Sequence, residues 1–438
     1  MSTDHILCQD RLIIFSRYPV PGKTKTRLIP ELGRAGAADI QRRFTEKILD
    51  TAKGVVSVRG IDLEVRFEGG NVQKMRRWLG PDVVFSSQPR GDLGSRMRNS
   101  FEDAFRSGFQ RVVLIGSDIP EMTAAHIEKA FDALIGHDIV LGPSTDGGYW
   151  LIGMKAPIDI FQGIDWGTRS VFDQTLRHVD EFGLNSVSIE PLTDIDTFDE
   201  LKKWDFHEAN ENPYISVIIP ALDEEESIAA AISSARDRDA EIIVVDGGSS
   251  DKTVNIAIAA GARVETGPRG RARQQNLGAE SARGKVLLFL HADTVLPDGY
   301  VDYIFEALMD PRIVGGAFRF RTDWDHPVMK AVGFITNLRA QYLNQPYGDQ
   351  GLFVRKSVFA DVGGFPDVPV AEDLFFVRLL VRKGGIRIVP ASAVTSARRW
   401  KRMGILRTTL INQLIAVNCL IGATPRLPDF LYRGRNKK

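Results

Sequence analysis

Acidic residues placed just past apolar runs are the first chemical signal in this 438-residue chain. VVLIGSDIP (112–120) carries Asp118, VLLFLHADTVLP (286–297) carries Asp293, and EIIVVDGGSSDKT (241–253) carries Asp246. In an open α/β sheet ligands gather at the carboxyl ends of the strands, so each of these carboxylates is placed to meet one. Asp246 and Asp146 both precede a Gly-Gly pair, which lets a ligand approach the backbone closely. The loop FSRYPVPGKTKTRLIP (15–30) follows an apolar run and carries Lys23, Lys25 and Arg27, cations suited to a diphosphate or triphosphate. It lacks the GxxxxGK[ST] pattern, so ATPase chemistry of the P-loop kind is not supported. Blander roles exist for each: Asp246 as a turn residue, Glu372 as a helix N-terminal charge, Trp400 as core, Asp118 as a strand cap, and Lys23, Lys25 and Arg27 as a solvated face.

The elements that must position these groups read as alternating strands and helices. Leu12–Phe15, Val112–Ile115 and Ile139–Leu141 in the first half, then Ile215–Ile219, Ile242–Val245 and Val286–Leu290 in the second, are short β-branched runs separated by helical patterns. That alternation predicts α/β folding around mostly parallel, helix-covered sheets. At roughly 100–200 residues per domain the length predicts two domains, or three. WDFHEANENP (204–213) is polar and ends in Asn-Pro, so the boundary is expected near residue 210, dividing 1–210 from 211–438. With 43% hydrophobic and 26% charged residues the chain is globular, not disordered or fibrous. Two distant cysteines, Cys8 and Cys419, predict neither a disulfide framework nor a zinc site, and they fit a reducing cytoplasm. The first residues lack the basic and long apolar regions of a signal peptide.

Taken in order, ISVIIPALDEEESI (215–228), EIIVVDGGSSDKT, RARQQNLGAESARG (271–284), HADT (291–294) and GGFPDVPVAEDLFFVRLL (363–380) closely resemble family 2 glycosyltransferases of GT-A fold. The resemblance runs from about Ile215 to Met403 and implies transfer of a sugar from a nucleotide-sugar donor to an acceptor hydroxyl. It implies Asp293 as a ligand of Mg²⁺ or Mn²⁺, with His291 standing where an Asp is usual. It further implies that Asp246 meets the base or ribose, that Pro220 and Glu224 line the nucleotide pocket, and that Arg273 and Asn276 touch the donor side. Glu372 and Asp373 match the family's acidic pair, with Asp373 as general base. SARRW (396–400) resembles the QxxRW motif of processive members, with Arg399 and Trp400 facing pyrophosphate and acceptor. Ser396 in place of Gln argues against processive synthesis.

In the first half, the 15–30 loop, QPRGDLGSRMRNSF (88–101), GSDIP (116–120), GPSTDGGYWLIGM (142–154), IDWGTRSVFDQT (164–175) and DIDTFDEL (194–201) form a second ordered set. It resembles a transferase family typified by PGxxKTRL and DGGYxL, related to GT-A nucleotidyltransferases. Families resembling the two halves are named radical-SAM/selenodomain-associated transferases 1 and 2, and also arsenosugar-biosynthesis glycosyltransferases. The resemblance implies two tandem GT-A-like domains, Asp118 and Asp196 as metal ligands, Lys23, Lys25 and Arg27 on phosphates, and Asp146 beside the sugar or nucleotide. The first domain would then make the activated donor. Two glycosyltransferases acting in sequence, or a nucleotide-sugar-binding regulator with a degenerate first half, are the alternatives.

Equal totals of 56 basic and 56 acidic residues give a formal net charge of zero. That balance hides an asymmetry, because Arg378–Lys438 holds fourteen basic residues against one acidic residue, Asp429. The basic, partly apolar end suits a peripheral membrane contact at the inner face, or a helix packed on the transferase core with arginines facing pyrophosphate. Thr408–Ala423 is shorter than the ~20 residues of a spanning helix. No nucleic-acid reader motif accompanies the charge.

Overall fold

The structure is a computed structural model, and it describes residues 9–204, 213–368, 370–405 and 407–411. The chain separates into two compact units, Met1–Asn210 and Glu211–Lys438. The first unit is built on β1 (Asp10–Arg17), β2 (Asp62–Glu68), β3 (Val84–Ser87), β4 (Arg111–Gly116), β5 (Ile139–Pro143), β6 (Tyr149–Met154) and β7 (Ser186–Ser188), in the order β3-β2-β1-β4-β6-β5-β7. Only β6 runs against the rest.

The second unit has β8 (Ile215–Ala221), β9 (Ala240–Asp246), β10 (Arg263–Thr266), β11 (Val286–Phe289), β12 (Thr294–Val295), β13 (Ile313–Thr322), β14 (Leu352–Arg355) and β15 (Gly385–Thr395). Its order is β10-β9-β8-β11-β14-β13-β15-β12. Set aside the two-residue β12, and the two sheets share one topology, strand for strand and direction for direction. Both units are therefore α/β with mostly parallel sheets, and the six apolar runs each fall in a strand.

Burial explains those runs. Parallel strands are covered on both faces, so the runs are almost wholly apolar: Leu12, Ile13 and Ile14 are fully buried, as are Val217, Ile218 and Ile219, and the one buried polar residue among them, Ser216, bonds Glu241. The helices Leu93–Arg106 and Val171–Glu181 cover one face of the first sheet through Met97, Phe101 and Val179. In the second unit the helix Arg271–Ser281 presses close to β8 and β9, since an added Cβ at Gly278 would lie 2.6 Å from Ile218 Cγ2.

Close approach lets one side chain of that helix tie the strand ends together. Gln274, 4% exposed, donates from Nε2 to the Ala221 carbonyl at 2.9 Å and the Val245 carbonyl at 2.8 Å. These carbonyls end β8 and precede Asp246, so the clamp fixes the loops that carry the site. Gln274→Leu keeps the bulk but leaves both buried carbonyls unpaired. We expect it to lower stability by roughly 1–3 kcal/mol, read as an earlier midpoint in urea unfolding of the full chain.

Candidate active sites

At the carboxyl end of β4 in the first unit, a buried ammonium sits among three carboxylates. Lys25 Nζ lies 2.8 Å from Asp196 Oδ1 and 3.2 Å from Asp118 Oδ1, and it donates to the Ile195 carbonyl at 2.7 Å. Its side chain is 3% exposed. Lys25 adopts a left-handed backbone (φ 48°) ahead of the 3₁₀ turn Thr26–Leu28, an unfavourable conformation for a residue with a Cβ and one the surroundings must hold. Asp118, Asp194 and Asp196 each offer an oxygen within 4.8 Å of the others.

Alternation places them. Asp194 and Asp196 flank Ile195, which is buried with Leu28, Phe44 and Leu201, and the Ile195 N–H donates to the Asp118 carbonyl. Thr197 and Glu200 form a capping box at the helix Phe198–Lys203, and Glu200 also accepts from the Asp196 N–H at 2.9 Å.

Charge follows from this packing. Burial works against the Lys25 ammonium, but Asp118, Asp196 and Asp194 outweigh it and hold its pKa above the ordinary value. Burial raises Asp196 too, yet Lys25 and then Arg27, 3.6 Å away, draw it below the usual range. Asp194 is pushed up to about 8, by burial first and then by Asp118. Asp194 Oδ1 is buried without a hydrogen-bond partner and Asp118 Oδ1 meets the Lys25 ammonium at 3.2 Å, so the all-oxygen donor set fits a hard divalent cation.

Of the other expected groups, Lys23 and Arg27 are exposed. Asp146 closes its own turn, accepting from Gly148 N–H and Ser144 Oγ. Gly147 has φ 94°, and an added Cβ would meet the Arg169 carbonyl at 2.1 Å, so packing within the chain already demands this glycine.

In the second unit Arg398 reaches two carboxylates through Nη2, Glu224 and, at 3.2 Å, Asp293. Burial raises the Asp293 pKa and Arg398 opposes the rise. Across the site Arg271 pairs with Glu372 at 3.0 Å. Glu372 and Asp373 start the helix Glu372–Lys383, just after Ala371 in the left-handed region (φ 66°). Asp373 accepts from Gly348 N–H at 2.6 Å and from Leu374 N–H at 2.8 Å, while burial and then Glu372 raise its pKa. An added Cβ at Gly348 would lie 2.7 Å from His291 Nε2 and 3.1 Å from Asp373 Oδ2, which places both against this loop. His291 is held neutral by burial and then by Arg271. Asp349, in the same loop, is pushed to about 7 by burial and then by Asp373.

Several expected roles shift. The guanidinium that meets the Glu372 carboxylate belongs to Arg271, while Arg273 forms an exposed fork with Asp367 at 2.8–3.1 Å. Asn276 spends its amide on both backbone groups of Phe365. Arg398, not the half-buried Arg399, meets Asp293. Trp400 packs with Phe320, Met329 and Ala397 as a core residue. Asp246 ends β9 and accepts from Gly248 and Ser249 N–H, closing its turn, and Pro220 lies beside it near the end of β8. Arg271, Asp349 and Asp194 were not singled out from sequence, and Arg398 only as one arginine of the basic end. Three of the four lie inside quoted motifs, and Asp349 in YGDQG carried no signal. Among the described residues only the Asp118–Asp194–Asp196 group gathers three metal-competent side chains this closely. The basic end beyond Ile411 lies outside the described residues.

Two α/β units of one strand order, with acidic groups at the strand ends, define GT-A nucleotide-diphospho-sugar transferase folds. Residues 216–363 match the model of glycosyl transferase family 2, and residues 51–168 match one described as "Uncharacterized protein conserved in bacteria (DUF2064)". The second unit thus carries a family 2 glycosyltransferase domain. Over 98 residues the chain is 38% identical to glucosyl-3-phosphoglycerate synthase of Mycolicibacterium paratuberculosis, covering 19% of this chain and 29% of that protein. Over 172 residues it is 26% identical to glycosyltransferase AglE of Haloferax volcanii, covering 35% and 57%. The chain therefore spans 29% and 57% of these curated relatives' lengths. A crystal structure described as a candidate nucleotide-diphospho-sugar transferase of Desulfovibrio desulfuricans G20 is 32% identical, covering 46% of this chain and 90% of that one, with a TM-score of 0.42.

Asp194 gives the first unit a pH signature. Its folded pKa, about 8, stands above the ordinary aspartate value of 3.8, so between these limits the folded state keeps a proton that the unfolded state releases. Stability must then fall as pH rises through that window. Asp194→Asn removes the contribution, and its melting temperature is expected to decline less from pH 5 to pH 8 than the wild type's.

Proposed function

We propose that the second unit transfers a sugar from a nucleotide-diphospho-sugar to an acceptor hydroxyl, with Asp373 as general base. The observation that carries this reading is the placement of Asp373. Its two oxygens are oriented by Gly348 and Leu374 N–H, it faces a loop shared with His291, and Arg271 neutralises the adjacent Glu372. Burial, and then Glu372, raise the Asp373 pKa and so make it a stronger base than a solvated carboxylate, and the Gly348 and Leu374 N–H donors oppose that rise. In the step, the acceptor oxygen bonds to the anomeric carbon, its proton passes to Asp373, and the bond to the donor phosphate breaks. The electron pair leaves with the nucleoside diphosphate. Arg398, beside Asp293, stabilises charge growing there. Pro220, Glu224 and Asp246 border the nucleotide side.

Mg²⁺ or Mn²⁺, when bound, would neutralise phosphate charge, held by Asp293 in the second unit and by Asp118, Asp194 and Asp196 in the first. For the first unit we propose transfer of a nucleotidyl group to a small phosphate such as a sugar 1-phosphate, with Lys23 and Arg27 exposed to meet phosphates beside the acidic group. A second reading, two glycosyltransferases in sequence, is favoured by the shared strand order. We also place the units with the radical-SAM/selenodomain-associated transferases 1 and 2 and in the cytoplasm, on the motifs and cysteine usage alone.

A donor screen on the full chain with Mg²⁺ and Mn²⁺, reading nucleoside diphosphate release, tests the transferase reading. Asp373→Asn is expected to lower kcat by a factor of about 10²–10⁴ with nucleotide binding retained. No release from any sugar nucleotide, with tight binding, would indicate a regulator instead. With nucleoside triphosphates and sugar 1-phosphates, pyrophosphate release that survives Asp293→Ala but not Asp118→Ala supports nucleotidyl transfer in the first unit. Absence of pyrophosphate alongside a second nucleotide-sugar turnover supports the sequential reading.

A further inference from the structure

The helix Pro327–Leu343 in the second unit (PVMKAVGFITNLRAQYL) has apolar residues on both of its sides. Its inner side is spent on the fold, through Met329, Gly333, Thr336 and Ala340. Its outer side presents Val328, Phe334, Ile335, Leu338, Tyr342 and Leu343, with exposures from 39% at Leu338 to 71% at Tyr342. Six of the sixteen large exposed hydrophobics among the described residues thus sit on this one helix. Scattered exposed leucines need no account, but a continuous stripe of this kind marks a surface that meets something apolar.

The surrounding charge says what. The helix holds no acidic residue, and its exposed Lys330 pairs at 2.6 Å with Asp325 just ahead of the helix, so the cations that face outward come from the neighbouring segment. Met329 and Val332 share a cluster with Trp400 and Ile405, which brings the Arg398–Met403 helix alongside. Lys401 reaches over the ring of Trp324, 5.6 Å away, near the start of the apolar helix. Lys401, Arg402 and Arg407 are all exposed. From Ser396 to Pro428 the sequence holds no acidic residue at all. Apolar and aromatic side chains rimmed by cations match an anionic lipid interface, where the rings and aliphatic groups enter the acyl boundary and the cations meet headgroups. A symmetric second copy would set these cations against themselves. No helix among the described residues is long and apolar enough to cross a membrane, so the helix would lie in the surface.

We propose that the outer side of Pro327–Leu343, with the cations beside it, docks the protein on an anionic bilayer surface. This inference stands apart from the transferase reading, since it concerns where the protein rests and not what it turns over. The helix runs directly into the loop that sets Gly348 against Asp373, so the docked face adjoins the Asp373 side of the second unit.

Co-sedimentation of the full chain with vesicles of phosphatidylcholine alone, and of phosphatidylcholine with phosphatidylglycerol, tests it. The wild type should sediment with the anionic vesicles, and added salt should weaken this. The triple variant Phe334→Ser, Ile335→Ser, Tyr342→Ser should bind at least about tenfold more weakly with an unchanged melting temperature. Phe334→Trp should retain binding, which a folding defect would not. Lys401→Glu with Arg407→Glu should erase the preference for anionic lipid. The proposal is overturned if the wild type stays in the supernatant, or if the triple variant sediments as the wild type does. It is equally overturned if the serine substitutions abolish a concentration-dependent dimer while vesicles capture neither form; that result would assign the face to a second copy.

Discussion

Carboxylates gathered at the ends of parallel strands repel one another, and this protein answers each gathering with a cation delivered from far along the chain. Lys25 enters the first acidic group from 171 residues before Asp196. Arg398 closes on Glu224 across 174 residues, and Arg271 on Glu372 across 101. A buried ion left without its partner costs several kcal/mol, so these pairings constrain the loops around them as much as they serve the chemistry. The left-handed backbones of Lys25 and Ala371 fit this account, since both stand where the chain must turn sharply to bring a charged side chain home.

The repeated strand order gives the same geometry twice but not the same electrostatics. In each unit the fourth strand of the shared topology runs out into an acidic residue, Asp118 after β4 and Asp293 after β11. The first unit surrounds a compact ammonium with three carboxylates and seals it at 3% exposure. The second uses a guanidinium at 46% exposure, paired with two carboxylates. Lys is a point charge suited to the centre of an oxygen cage, whereas Arg spreads its charge over a planar fork.

Much of the fold was legible in the sequence because strands covered on both faces are largely apolar, and such runs stand out between polar helices. The acidic residues were legible for a related reason, since an unpaired charge is best tolerated where such a run leaves the core, while buried charges inside a strand come paired, as Glu64 and Arg66 do in β2. Partners were harder. The choice of Arg273 over Arg271 illustrates why: two positions on a helix are a rotation of about 200°, so one arginine faces the site and the other faces solvent. Arg398 and Arg399 differ by about 100° in the same way. Asn276 and Trp400 sit within matching motifs, yet the first clamps Phe365 and the second fills a cluster, uses that a linear motif does not separate from ligand contact. Asp349 had no signal, because its significance lies in which distant groups its loop is folded against.

That folding-together explains why the Asp373 side of the second site is shaped by an irregular segment and not by a strand. Between the helix Pro327–Leu343 and β14 the chain passes through Asn344 in the left-handed region and the Gly348–Gln350 turn, where Gly348 leaves no Cβ to clash with His291 or Asp373. A side chain there would push the two apart, and Asp373 would lose the N–H that fixes one of its oxygens. Gln350 anchors the far end, donating from a fully buried Nε2 to the Phe318 carbonyl at 2.9 Å and accepting from Tyr347 N–H at 3.0 Å. The segment is therefore pinned at Gln350 by hydrogen bonds and kept thin at its middle by glycine. A short loop held in this way fixes the Asp373 carboxylate through Gly348 N–H at 2.6 Å.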